Sequence, residues 1–173
     1  MVNKTTIEYV IINIGVGDME IAVIDDFDYD RKKLQGIINY YLNVKNIDCG
    51  ICMYDSAEAF LQDFPRHIFT MIFLDISMSG MTGMQAAREI RKQDKRIPIV
   101  FATVEKDFAL EGYEVHAAGF VLKPFAPEKV YAVLDHVLSD MITPQYISIK
   151  ESRVTVQILL DNLYFVEMRN HYA

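Results

Sequence analysis

The sequence of 173 residues predicts a doubly wound α/β domain with a parallel five-stranded sheet in the order 2-1-3-4-5. Three observations lead there. Between residues 19 and 141, five short apolar runs alternate with five helical patterns. The runs are almost continuously apolar, as strands buried on both faces of a parallel sheet must be. Parallel strands joined by helices then require right-handed crossovers, which place helices on both sides of the sheet.

The strand candidates are Ile21–Ile24, Ile51–Tyr54, Met71–Leu74, Ile97–Ala102 and Gly119–Leu122. Pro98 sits near the start of its run, where a missing N–H is tolerated. Leu34, Ile37, Ile38, Tyr41 and Leu42 follow the i, i+3, i+4, i+7, i+8 spacing of a one-sided helix. Ala57, Phe60, Leu61 and Phe64 repeat it, with Ser56 placed as an N-cap. Met84, Ala87 and Ile90 mark a third helix. Ala109 to His116 has the poorest apolar stripe and contains Gly112, so this fourth helix is expected to be weakly anchored. Val130, Val133, Leu134, Val137, Leu138 and Met141 mark the fifth, with Pro127 in its first turn. With this element count the flavodoxin-like strand order is favoured over half of a dinucleotide-binding fold.

Hydrophobic residues make up 51% of the chain and charged residues 24%, which suits a substantial core at this size. No apolar run approaches the ~18–20 residues that span a bilayer. Residues 1 to 17 lack the basic and long apolar regions of a secretory signal, so a cytoplasmic protein without membrane contact is expected. The net charge of −7 argues against a nucleic-acid coat. From Pro144 onward, Lys150, Arg153 and Arg169 balance Glu151, Asp161 and Glu167, leaving no basic patch for phosphate backbones. The two cysteines, Cys49 and Cys52, are spaced as C-x-x-C. A redox pair or half a zinc site is one reading. The strand-like surroundings favour plain packing, because strand residues three apart point to opposite faces and no second ligand pair follows.

Open α/β sheets bind ligands beyond the carboxyl ends of their strands, where the order switches between strands one and three. Strand one ends in Asp25 and Asp26, and strand three ends in Asp75. Taken singly, Asp25, Asp26 and Asp28 would each serve as a cap for the first helix. Together Asp25, Asp26 and Asp75 form an oxygen donor set suited to Mg²⁺, which neutralises and aligns an incoming phosphoryl group. Strand four ends at Thr103 with a hydroxyl, and strand five at Lys123 with an ammonium whose backbone Pro124 constrains.

Ile24-Asp25-Asp26, Leu74-Asp75-Ile76-Ser77-Met78, Gly80-Met81-Thr82-Gly83, Thr103 and Lys123-Pro124-Phe125 together resemble the response-regulator receiver family across about residues 19 to 141. The resemblance implies that Asp75 accepts a phosphoryl group from a sensor histidine kinase. It implies direct Mg²⁺ ligation by Asp26 and Asp75, a largely water-mediated role for Asp25, and a ligand from the Ser77 backbone carbonyl. Thr103 would hydrogen-bond the phosphoryl oxygens and Lys123 would pair with them. Phe120, three residues before the lysine, occupies the position of a rotamer switch; plain core packing is the other reading. Two departures stand out: Ser79 replaces a common proline, which is expected to loosen the loop, and Val104 replaces a smaller residue. The family's chemistry is self-phosphorylation and dephosphorylation, so the domain is expected to be a signalling phosphoacceptor rather than an enzyme.

After Met141 the pattern turns to alternating, β-branched runs, indicating β-structure. Val154 to Tyr172, with Leu163 to Glu167 and Asn170-His171-Tyr172, resembles the opening of a LytTR DNA-binding domain, as in LytTR/AlgR-like response regulators. The organisation expected is an N-terminal extension over 1–18, a receiver over 19–141, and a linker with a partial output domain over 142–173. Tyr9 to Ile14 would add an edge strand or precede a start at Met19. Phosphorylation would control transcription, with dimerisation through the face of helix 4, strand 5 and helix 5. DNA contacts would come only in a longer protein. The alternatives are a receiver acting alone through protein contacts or phosphotransfer, and a haloacid-dehalogenase-like phosphatase. The latter needs an acid two residues past the nucleophile, where Ser77 stands.

Overall fold

Each apolar run becomes a strand in the computed structural model, which describes residues 19–104, 109–142, 146–151 and 154–159. In chain order the elements are β1 (Glu20–Ile24), α1 (Asp28–Lys45), β2 (Gly50–Tyr54), α2 (Ala57–Asp63), a 3-10 turn (Phe64–Arg66), β3 (Phe69–Leu74), α3 (Gly83–Gln93), β4 (Ile99–Thr103), α4 (Ala109–Glu114), β5 (Gly119–Leu122) and α5 (Pro127–Ile142). The strands form one parallel sheet in the order β2-β1-β3-β4-β5, as the sequence predicts. The N-terminal extension, the Leu163–Glu167 segment and Asn170–Tyr172 lie outside the described residues.

Alternation along the strands divides the core into two layers. Ala22, Ile24, Ile72, Leu74, Ile99 and Phe101 face Phe60 of α2 and Met84, Ala87 and Ile90 of α3. Ile21, Val23, Met71, Phe73, Val100 and Ala102 face Leu34 and Ile38 of α1 and Val130 and Leu134 of α5. Central strands buried on both faces have no polar side to show, which is why their sequences are apolar throughout. The cysteines part as expected, Cys49 against the α1/α5 layer and Cys52 against the α2/α3 layer.

Several boundaries differ from the sequence reading. β4 begins after Pro98, whose carbonyl accepts from the Ile72 N–H at 2.9 Å. Ser56 holds the N-cap position of α2 but does not cap; its hydroxyl turns to Asp55 at 3.1 Å. α3 carries the cap the sequence reading missed, a reciprocal box between Thr82 and Gln85. The fourth helix stops at Glu114, and His116 turns left-handed at φ 48°. Beyond it, Arg91 of α3 donates to three main-chain oxygens: Val115 at 2.7 Å, Asp94 at 3.2 Å and His116 at 3.3 Å.

Residues Asp18–Asp140 form one compact unit. The expected β-structure after Met141 is a separate antiparallel pair, β6 (Tyr146–Glu151) and β7 (Val154–Leu159), in register from Tyr146 opposite Leu159 to Glu151 opposite Val154.

Candidate functional site

The sheet itself brings the carboxylates together. β1 and β3 pair in parallel with Ile24 opposite Leu74, and the Asp75 N–H donates to the Ile24 carbonyl at 2.9 Å. The next side chains outward are Asp25 and Asp75, 2% and 4% exposed. Asp26 follows on the rim, exposed. One oxygen from each of the three lies within 4.8 Å of the others.

Lys123 closes the group from the far side. β5 ends one residue earlier, and the Lys123 N–H donates to the Thr103 carbonyl at 2.9 Å, anchoring the lysine backbone to the end of β4. The Lys123–Pro124 peptide is cis. The ammonium lies 2.8 Å from Asp75 Oδ2, 2.8 Å from Asp25 Oδ2 and 3.3 Å from Asp30 Oδ2. Asp30, in the first turn of α1, is a member of the cluster that the sequence reading missed. A carboxylate in a helix's first turn looks like an ordinary response to the helix dipole, so nothing marked it.

Burial pushes the Asp25 carboxyl above its ordinary value, opposed by Lys123 and by the Phe27 N–H, which donates to Asp25 Oδ1 at 2.9 Å. Burial alone would lower the Lys123 ammonium, but its hydrogen bond to Asp75 and the nearby charges of Asp75 and Asp25 push it up. Asp26 is held below the usual carboxylate range, chiefly by the Ser79 N–H. The signs follow from linkage. Through the window between the ordinary and the raised Asp25 pKa, the folded protein keeps a proton that the unfolded chain has lost. That group's contribution to stability therefore declines as pH rises through the window. Lys123 contributes fully below the ordinary lysine value and less as pH climbs above it. Asp25→Asn abolishes the first effect. In chelator, its stability relative to wild type is expected to rise from acid to neutral pH, read from melting temperatures; a constant difference would refute the assignment.

Among the described residues, Asp25 Oδ2 is a buried oxygen with no aligned hydrogen bond; its contact is the ammonium of Lys123. A buried oxygen in that condition, beside two more carboxylates, fits a hard divalent cation. The reading of these aspartates as mere helix caps does not hold: the α1 N-cap is Phe27, without a side-chain cap, and Asp28 pairs with Arg31 and Lys32 instead.

Ser79 corrects an expectation. Its N–H and hydroxyl both donate to Asp26 Oδ2, at 2.8 and 3.0 Å, so the residue fastens the loop to the cluster rather than loosening it. Proline offers neither donor. Ser77 is exposed, and its N–H donates to Asp75 Oδ1 at 3.3 Å. Thr103 ends β4 fully buried, two strands from Asp25. Phe120 is half-buried; its ring packs on Phe101 at a centroid distance of 5.4 Å and against Gly112, where a Cβ would overlap it. Gly112, which weakened the α4 pattern in the sequence, is thus the seat of the Phe120 ring. Val104 is exposed beside Thr103.

Three carboxylates and a lysine thus meet at the switch point of a doubly wound domain, the end of the sheet where such folds place their ligand sites. Residues 21–135 match the response regulator receiver domain family, and the chain belongs to it. It is 31% identical over 140 residues to the sensory transduction protein LytR of Staphylococcus epidermidis, covering 75% of this chain and 53% of that protein. It is 31% identical over 116 residues to the sensory transduction protein LytT of Bacillus cereus, covering 67% and 46%. The chain thus spans about half the length of these curated relatives. The chemotaxis response regulator CheY4 of Vibrio cholerae superposes with a TM-score of 0.61 at 25% identity, over 70% of this chain and 99% of that one. The protein therefore contains the receiver domain of a two-component response regulator related to LytR and LytT. No helix among the described residues is long and apolar enough to cross a membrane.

Proposed function

We propose that Asp75 accepts a phosphoryl group from the phosphohistidine of a sensor kinase, and that the resulting shift in the domain controls transcription. The observation that carries this reading is the meeting of Asp25, Asp26 and Asp75 with Lys123 at the β1/β3 crevice. An Asp75 oxygen forms the new O–P bond as the donor's P–N bond breaks; the imidazole keeps the electron pair and takes up a proton. Asp26, Asp75 and the Ser77 carbonyl would hold Mg²⁺, with Asp25 acting largely through water. When bound, that ion supplies charge neutralisation for the phosphoryl oxygens. Lys123, already beside Asp75, pairs with the transferred group. Thr103 hydrogen-bonds it, and Phe120 follows the change from its seat on Gly112.

The domain acts as a signalling phosphoacceptor rather than an enzyme. Its relatives are named as sensory transduction and transcriptional regulatory proteins. We assign residues 19–141 to the receiver and 142–173 to a linker and the opening strands of a LytTR-type, DNA-binding output domain. The α4, β5 and α5 face would carry homodimerisation, in the cytoplasm.

Incubation with Mg²⁺ and acetyl phosphate, followed by intact mass, tests the central claim. One phosphoryl adduct is expected in wild type and none in Asp75→Asn. Equal labelling of the two would overturn it.

Ser79→Pro removes both donors to Asp26. It is expected to weaken Mg²⁺ binding about tenfold, the low end for partners that orient metal ligands. Calorimetric titration checks this, and an unchanged affinity would show that Asp26 is held by other means.

A further inference from the structure

Cys52 has a place in the structure that the C-x-x-C spacing does not explain. It lies on β2, an edge strand, facing the α2 side of the sheet, away from Cys49. Glu20 opens the neighbouring strand β1, and its carboxylate lies within 4.8 Å of the Cys52 thiol. His67 arrives from the turn between α2 and β3, and its Nδ1 lies 2.8 Å from Glu20 Oε2. One donor atom from each of Glu20, Cys52 and His67 lies within 4.8 Å of the other two.

The imidazole is also fixed from behind. His67 Nε2 lies 3.3 Å from Asp63 Oδ2, and that same oxygen accepts from the Tyr54 hydroxyl at 2.8 Å. The ring stacks on Phe69 at 5.4 Å with 23° between planes. An imidazole with one nitrogen toward a donor cluster and the other toward an anchored carboxylate is the arrangement that orients metal-bound histidines. A glutamate–histidine ion pair alone would need neither the thiol nor the Tyr54–Asp63 support. Among the described residues no strand covers β2 on its outer side, and Glu20 and His67 are 24% and 35% exposed, so an ion can enter from solvent.

We propose that Glu20, Cys52 and His67 form a second metal site, for a borderline divalent ion of the Zn²⁺ class, with Asp63 positioning His67. Sulfur, nitrogen and carboxylate oxygen in one set select such ions over Mg²⁺, and a water completes four-coordination. As the metal–sulfur and metal–nitrogen bonds form, the thiol proton and any proton on the bound imidazole nitrogen leave to the buffer, without redox change. The bound ion would tie β1, β2 and the turn before β3 at the amino ends of the strands, the end of the sheet opposite Asp75. This site is independent of the phosphoacceptor reading.

Co²⁺ is the probe, titrated into the full chain with excess Mg²⁺ present to occupy the carboxylate crevice. One equivalent is expected to bind with a thiolate-to-cobalt charge-transfer absorption that Zn²⁺ removes. Cys52→Ala should abolish the band and Cys49→Ala keep it. His67→Gln and Asp63→Asn should each weaken binding about tenfold or more. Circular dichroism on every variant separates loss of the site from loss of the fold, and His67→Gln tests the site with the thiol intact. A wild type without the band would overturn the proposal. So would a band that persists in Cys52→Ala, or one that both cysteine variants lose equally.

Discussion

Lys123→Ala is expected to lose about 3 kcal/mol or more of stability in chelator, because it leaves two buried carboxylates without the cation between them. Asp25 and Asp75 are almost wholly enclosed, and the ammonium sits 2.8 Å from an oxygen of each. Removing one partner of such a set exposes the desolvation cost of the others, which water cannot repay at this depth. The loss should shrink when Asp25→Asn is added, since the remaining carboxylate then has less like charge beside it. It should also shrink on adding Mg²⁺, which would stand in for the missing charge. Urea unfolding of the four proteins in a double-mutant cycle measures both effects. A single variant within about 0.5 kcal/mol of wild type would place Lys123 among ordinary surface residues and refute the account.

Gly83→Ala is expected to damage fold and site together. Gly83 opens α3, and its N–H donates to the Ile76 carbonyl at 3.0 Å, so the helix start lies directly on the turn that follows Asp75. A methyl group there would overlap the Asp75 carbonyl oxygen and stand 2.8 Å from the Asp75 carbonyl carbon and 3.0 Å from Ile76 Cα. All three are main-chain atoms, so no side chain can swing aside. Either α3 slides away or the Asp75 backbone moves. Overpacking of this kind costs about 1–3 kcal/mol. A displacement of about 1 Å at a reacting group slows transfer roughly a hundredfold. Phosphoryl uptake from acetyl phosphate and thermal unfolding read the two effects. Gly36→Ala, where a Cβ meets nothing within 4 Å, is the control and should fold at least as well as wild type.

The parts legible in the sequence were those fixed by strand ends. Apolar runs buried on both sides declare themselves, and Asp25, Asp26, Asp75, Thr103 and Lys123 each follow one, so topology alone gathers them. Contacts made across the chain by backbone or loop groups were not legible. The Ser79 N–H meets Asp26 over 53 residues, and a serine in a loop gives no sign of its target. Ser56 offered a cap signal that its own neighbour Asp55 took over, whereas Thr82 and Gln85 stood at capping-box spacing and were passed by. Glu20 and His67 meet partly because the β1/β3 register shifts between Glu20 and Ile21, an irregularity no periodicity encodes.

Arg91 grips the segment after α4 through carbonyl oxygens, those of Val115 and His116, and also holds the Asp94 carbonyl at the end of its own helix. Every residue carries a carbonyl, so the identity of position 116 is irrelevant to this grip, and a side chain there can be exchanged without cost to it. Position 91 has no such freedom. Only a planar fork reaches several separated oxygens at once, and a lysine would satisfy them with a single nitrogen. The grip therefore constrains its two partners unequally: it leaves the side chains of Val115 and His116 to be set by core packing and by a left-handed backbone, while it holds the gripping residue to one amino acid.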